Sequence, residues 1–152
     1  MSPTENVSHD RRQIVVFGLG TEEYALAIGE VQEIIRYVEP RSVSSDAEWI
    51  LGVISLRGKI IPVCDLALRL GVARGQRAAT KIIVVEAGEH IVGLVVDDVT
   101  EVLTVEASAV EELRVAGAGA AGAHAIVKVD ERLIVLLASE SLFESSELVD
   151  AV

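Results

Sequence analysis

The sequence predicts a mainly β protein, a small barrel or sandwich, and three observations carry that prediction. Hydrophobic residues make up 51% of the 152-residue chain and aromatics only 3%, so the core must be built from Val, Ile, Leu and Ala, and β-branched side chains favour strands. Short apolar runs recur at close spacing, each bounded by turn residues. Segments of helical period are few and short. Many short strands with few helices make a barrel or a sandwich.

The elements follow in order along the chain. Residues 13–19 and 24–28 are strand-like, with Gly20, Thr21 and Glu22 as the turn of a first hairpin. In GEVQEIIRY, residues 29–37, the apolar Val31, Ile34 and Ile35 fall at the i, i+3, i+4 spacing of a helix face. This predicts one or two helical turns running into an extended segment toward Pro40. SVSSDAE makes a polar loop, and Trp49, Ile50 and Leu51 bring apolar surface back before Gly52. Residues 53–56 and 59–66 are two strands joined at Arg57 and Gly58, where glycine supplies the positive φ of a tight turn. Pro62 cannot donate to a ladder, which predicts an edge strand or a bulge there.

Residues 67–72 read as a short helix. Residues 81–86 and 90–96 flank the turn Ala87, Gly88 and Glu89, residues 101–105 add a strand, and residues 125–129 and 132–137 flank the turn Asp130 and Glu131. SESLFESSELVDAV reads as a closing helix with Ser139 or Ser141 as N-cap.

Charge and cysteine usage limit the function. A net charge of -11 makes approach to a phosphate backbone or an anionic membrane surface electrostatically uphill, so no nucleic acid is expected as partner. The single cysteine, Cys64, allows no intrachain disulfide and fits a reducing cytoplasm, where it is expected to pack as a small hydrophobe. MSPTENVSHDRR lacks the apolar core of a secretory signal and carries acids where such a signal carries bases. Apolar runs such as residues 133–138 are too short to cross a bilayer, so no direct membrane insertion is expected.

One run imitates a nucleotide site. Gly117, Gly119 and Gly122 in GAGAAG match G-x-G-x-x-G, but a strand follows rather than a helix, and Glu140, the acid at about the spacing of a ribose ligand, lies past two strands. A loop of small residues is the expected structure. His9, His90 and His124 show no metal-ligand or triad spacing. The acids Asp97, Asp98 and Glu101, and Glu111 with Glu112, are expected on solvated faces. Nothing requires catalysis, a metal or a cofactor.

GVISLRGKIIPVCDL, preceded by EVQEI and followed by HIVGLVVDDVTEVL, resembles the CheW family of bacterial chemotaxis coupling proteins. Val31, Glu33 and Ile34 match a V-x-E-I segment, residues 52–66 match G-V-x-x-L-R-G-x-x-x-P-V-x-D-L, and Gly93, Val95, Val96, Asp97 and Val99 match G-x-V-V-D-x-V. DERLIVLLASESLF is a weaker fourth match. The resemblance implies two small SH3-like five-stranded β-barrel lobes that share an apolar core, with short helices and a C-terminal helix. It implies a disordered tail over residues 1–12, a CheW-like domain over 13–146 and a C-terminal tail over 147–152.

The implied function is a non-enzymatic adaptor, without cofactor, that couples the cytoplasmic tips of methyl-accepting chemoreceptors to the regulatory domain of the histidine kinase CheA. Such a chain is expected to be cytoplasmic, recruited to chemoreceptor arrays and monomeric when on its own. The alternatives are a CheW-like adaptor of twitching or gliding motility and, more remotely, a nucleotide-binding enzyme using GAGAAG. By analogy with the family, Arg57 and Gly58 sit at an exposed hairpin, and Arg57 is expected to pair with Glu33. Val31, Ile35 and Val99 are the expected apolar anchors for the receptor tip, although each also suits plain core. Val53, Ile54 and Ile60 are expected at the kinase contact.

Overall fold

The computed structural model describes residues 10–45, 47–72, 79–113 and 123–143. Among these residues the strands are β1 (Arg11–Leu19), β2 (Glu22–Ala27), β3 (Val31–Arg36), β4 (Ile50–Leu56), β5 (Lys59–Asp65), β6 (Lys81–Ala87), β7 (His90–Val96), β8 (Asp98–Glu106), β9 (Val110–Glu112), β10 (Ala123–Val129) and β11 (Arg132–Leu137). Two short helices accompany them, α1 (Leu66–Leu70) and α2 (Ser139–Leu142). The strands form a six-stranded sheet, β8-β1-β2-β11-β10-β9, and a five-stranded sheet, β3-β6-β7-β5-β4. The second sheet, lobe 2, is one continuous stretch of chain inserted between β2 and β8 of lobe 1. Five strands per lobe were expected, and lobe 1 gains a sixth from the short β9.

Alternation along the strands sorts the apolar side chains into three clusters. In β6, Ile82 and Val84 face the interior of lobe 2 with Ile54, Ile61, Val63 and Val95. The intervening Ile83 and Val85 face the other way, into a cluster with Phe17, Leu26, Cys64, Leu94 and Leu137 that joins the two lobes. Lobe 1 keeps an interior of its own around Ile14, Val16, Ala25, Val127 and Ile134. Period-two alternation with both faces apolar is what the runs KIIVV and VGLVV encode, because a strand covered on both faces has no polar side. The expected shared core is present, with Cys64 buried in it.

Several local expectations need correction. The helical turns expected over residues 29–37 are a single 3-10 turn, Ile28–Glu30, followed by strand β3. Val31, Ile34 and Ile35 suit a pleated strand as β-branched residues, and β3 pairs antiparallel with β6 from Val31↔Val85 to Arg36↔Lys81, so tertiary pairing overrides a three-residue helical signal. Pro62 lies neither on an edge strand nor at a bulge, since β5 runs between β7 and β4. Val53, opposite Pro62, directs its N–H and C=O to Arg41, with both bonds 2.9 Å. The β7 pairing begins only at Val63, so no neighbour needs the N–H that proline lacks.

Neither serine caps the last helix: Ala138 holds the N-cap position without a side-chain bond. Ser139 is buried and bonds across the lobes instead. Arg11 and Arg12, expected in the tail, already belong to β1, and His124 lies in β10. GAGAAG, residues 1–9 of the expected tail, and residues 144–152, which hold the rest of the expected closing helix and the C-terminal tail, lie outside the described residues.

Candidate functional site

The five-stranded sheet is open as a ladder, with β3 and β4 as its two edges. Two contacts bring those edges together. The chain beyond β3 reaches β4 through the two Arg41–Val53 backbone bonds. Glycine at position 52 permits this approach: its φ is +153°, and a Cβ there would stand 2.0 Å from the Arg41 carbonyl oxygen.

The second contact is the expected ion pair. Arg57 and Gly58 form the two-residue turn between β4 and β5, with φ of 51° and 79°, as a type I′ hairpin demands. From that turn Arg57 Nε donates to Glu33 Oε2 at 2.8 Å and Nη2 donates to Oε1 at 3.3 Å. The fork holds the hairpin tip against the middle of β3, bidentate and therefore fixed in orientation. The Arg57 hydrogen bond, more than simple charge attraction, holds the Glu33 carboxyl below its ordinary pKa of 4.5, and Glu33 in turn raises that of Arg57. The Arg57 side chain is 76% exposed, so the pair lies in reach of a partner.

Glu33, Val53, Arg57, Gly58 and Ile60 all belong to this rim. Val53 and Ile60 share one face of the β4–β5 hairpin, opposite Pro62 and Ser55 respectively, and Ile60 is 62% exposed. Ile54 points the other way and is buried against Ile61 and Val63, so it underlies this face rather than standing on it. Ile35 likewise packs on the interior of lobe 2. Val31 and Val99, each half-buried, pack on the shared cluster from β3 and β8, the edge strands of the two different sheets.

Sequence reasoning missed a second arginine fork. Arg132, just after the turn with Asp130 at φ 54°, donates to both oxygens of Glu23 at 3.0 and 2.6 Å and to Glu101 at 3.1 Å. Hydrogen bonding by Arg132 lowers the Glu23 pKa, and the two glutamates raise that of Arg132. The tripeptide DER was the available signal, a turn followed by arginine just as RGK is a turn containing one. Also missed was the tilted ring contact of Trp49 with Phe143, centroids 4.9 Å apart, with the Arg69 guanidinium 5.4 Å from the centroid of the Trp49 ring. Among the described residues no group of His, Cys, Asp and Glu could hold a metal ion, and no helix is long and apolar enough to cross a membrane.

Residues 13–147 match the family model described as CheW-like domain. The chain is 35% identical to the chemotaxis protein CheW of Klebsiella aerogenes, covering 90% of this chain and 84% of that one. It is 27% identical to the chemotaxis protein CheW of Rhizobium meliloti over 94% of each. Its fold is similar to the crystal structure of scaffolding protein TtCheW from Thermoanaerobacter tengcongensis, with TM-score 0.81 and 36% identity over 90% of this chain and 94% of that one.

Proposed function

The chain belongs to the CheW-like domain family, and from that premise we propose that it is a non-enzymatic scaffold that couples chemoreceptors to the histidine kinase CheA in the cytoplasm. The observation that carries the reading is the exposed Arg57–Glu33 fork, which fixes a hairpin tip bearing a solvent-facing Ile60. An exposed ion pair adds little stability, so its use is to hold a recognition surface in one geometry. The kinase regulatory domain docks on that rim, over Val53, Arg57, Gly58 and Ile60, with Ile54 supporting it from inside. The receptor tip, a helical hairpin, lies along the edge strands, where Val31 and Val99 offer apolar anchors and Ile35 backs β3. Either contact can bury less than about 1,200 Å² and still function through repetition in an array.

Calorimetric titration of the protein into the regulatory domain of CheA from the same cell tests the reading. Saturable equimolar binding that is weakened by Arg57→Ala and abolished by Ile60→Asp supports it. An intact fold with no binding to that kinase refutes it in favour of a CheW-like adaptor for a different motility system.

A further inference from the structure

Lobe 2 is an insertion in lobe 1, so the chain passes between the lobes twice, at the 3-10 turn Ile28–Glu30 and at Asp97, between β7 and β8. A carboxylate stands at each passage and accepts from a backbone amide, at the first from Ser139 just after β11 of lobe 1 and at the second from Gly20 within lobe 1. At the first, Glu30 Oε1 accepts from the Ser139 N–H at 2.8 Å and lies 2.5 Å from the Ser139 hydroxyl. That hydroxyl also lies 2.7 Å from the Glu86 carbonyl of β6 in lobe 2, and its one proton serves one acceptor at a time. At the second, Asp97 Oδ2 accepts from the Gly20 N–H of the β1–β2 turn at 2.7 Å. The Asp97 backbone N–H donates to Gly18 of lobe 1, while its carbonyl accepts from the N–H and hydroxyl of Thr80 in lobe 2. Asp97, expected on a solvated face, is buried, as is Ser139.

We infer that Glu30 and Asp97 are the two pins that set the angle between the lobes. The cluster joining the lobes is mainly aliphatic, with Phe17, Tyr24 and Phe143 in it and Trp49 packed on it, and apolar burial is largely non-directional, so it holds the lobes together without fixing their orientation closely. Hydrogen bonds from amides to charged carboxylates are short and directional. One pin leaves a swivel, and two pins at separate crossings leave only rotation about the line that joins them, which the Arg69 Nε bond to the Leu142 carbonyl at 2.6 Å and the packing of the cluster oppose. Both are positioning residues, and the inference concerns the folded chain alone, with no partner needed.

Residual dipolar couplings measured on amides of both lobes in the full chain test it. In the unmodified protein one alignment tensor is expected to fit both lobes. Glu30→Ala and Asp97→Ala are each expected to rotate one lobe tensor relative to the other, and to speed hydrogen exchange at the Ser139 or Gly20 amide by about fivefold or more. Glu30→Gln and Asp97→Asn keep an acceptor oxygen and are expected to restore the original orientation. Unchanged orientation in both alanine variants overturns the inference, because the apolar cluster would then set the angle by itself. A rotation in Glu30→Ala that Glu30→Gln does not reverse also overturns it, by assigning the effect to lost packing. If Asp97→Ala fails to fold, the two Glu30 variants decide between the same outcomes.

Discussion

Replacing Gly52 by alanine tests the closure of lobe 2 most directly. The added Cβ would stand 2.0 Å from the Arg41 carbonyl oxygen, 2.6 Å from its carbon and 3.1 Å from the Ser42 nitrogen, all backbone atoms. To reach ordinary contact at 3.4 Å the Arg41 carbonyl must retreat by 1.4 Å, the difference of the two distances, and this breaks the two 2.9 Å bonds between Arg41 and Val53. Each such bond contributes about 1 kcal/mol net, and holding an L-residue at positive φ costs a further 1–2 kcal/mol or so. The sum is about 3–4 kcal/mol. With a urea dependence of about 2 kcal/mol/M, the unfolding midpoint followed by circular dichroism should fall by roughly 1.5–2 M. Gly58→Ala is the control, because its φ is also positive, at 79°, while its Cβ would meet nothing within 4 Å. That variant should lose only the strain, about 1 kcal/mol. A Gly52→Ala loss no larger than that of Gly58→Ala would refute the claim that close approach of Arg41 holds the lobe shut.

Other consequences are more local. Ile60→Asp should leave the melting temperature nearly unchanged, since the side chain is mostly in water, while removing kinase binding. Ile54→Asp, placing a carboxylate among Ile61, Val63 and Ile82, should cost several kcal/mol and unfold a large fraction of the protein, as a thermal melt will show. The depressed pKa of Glu33 means that its pairing contribution is present above the unfolded value of 4.5 and is lost as pH falls through the lower folded value. Carboxyl NMR titration should therefore place the Glu33 midpoint below 4.5, and Arg57→Ala should move it upward. Arg69 donates to the Leu142 carbonyl at 2.6 Å and lies against Trp49; Arg69→Ala should cost about 1–2 kcal/mol and shift the emission of the only tryptophan.

Legibility in the sequence followed the strength of local signals. Hairpins were readable because their turns carry residues that few other conformations want, Arg57-Gly58 and Gly88-Glu89 among them, and the flanking runs alternate cleanly. The stretch at residues 29–37 misled because three apolar positions fit a helix face by coincidence. What places them in a strand is pairing with β6, some fifty residues away. Pro62 misled for a similar reason: its tolerance depends on Arg41 occupying the hydrogen-bonding side of Val53, a long-range fact. The Arg57–Glu33 pair was legible only through family resemblance. The Arg132 fork, which spans three strands and up to 109 positions, left no local trace beyond a turn beside an arginine. Ile54 was assigned to a contact surface because sequence alternation shows that neighbours face opposite ways, without showing which way is inward.

Both faces of the central strands are occupied, one by the interior of a lobe and the other by the sister lobe. This leaves few places where a partner can be recognised. Among the exposed large hydrophobics, Ile34 lies on edge strand β3, Val102 on edge strand β8, and Ile60 and Leu133 beside hairpin turns, while Ile28 lies in the 3-10 turn, Tyr37 and Val38 follow β3, Leu113 follows β9 and Leu68 is on α1. A surface built of tips is only as definite as the turns that carry it, and a two-residue turn held by backbone bonds alone can rock. An arginine fork stands beside two of these tips, Arg57 on Glu33 near Ile60 and Arg132 on Glu23 and Glu101 near Leu133. Bidentate geometry restrains rotation as well as distance, so the forks turn mobile hairpin ends into fixed apolar knobs. Their effect should therefore appear in binding and in hairpin dynamics before it appears in global stability.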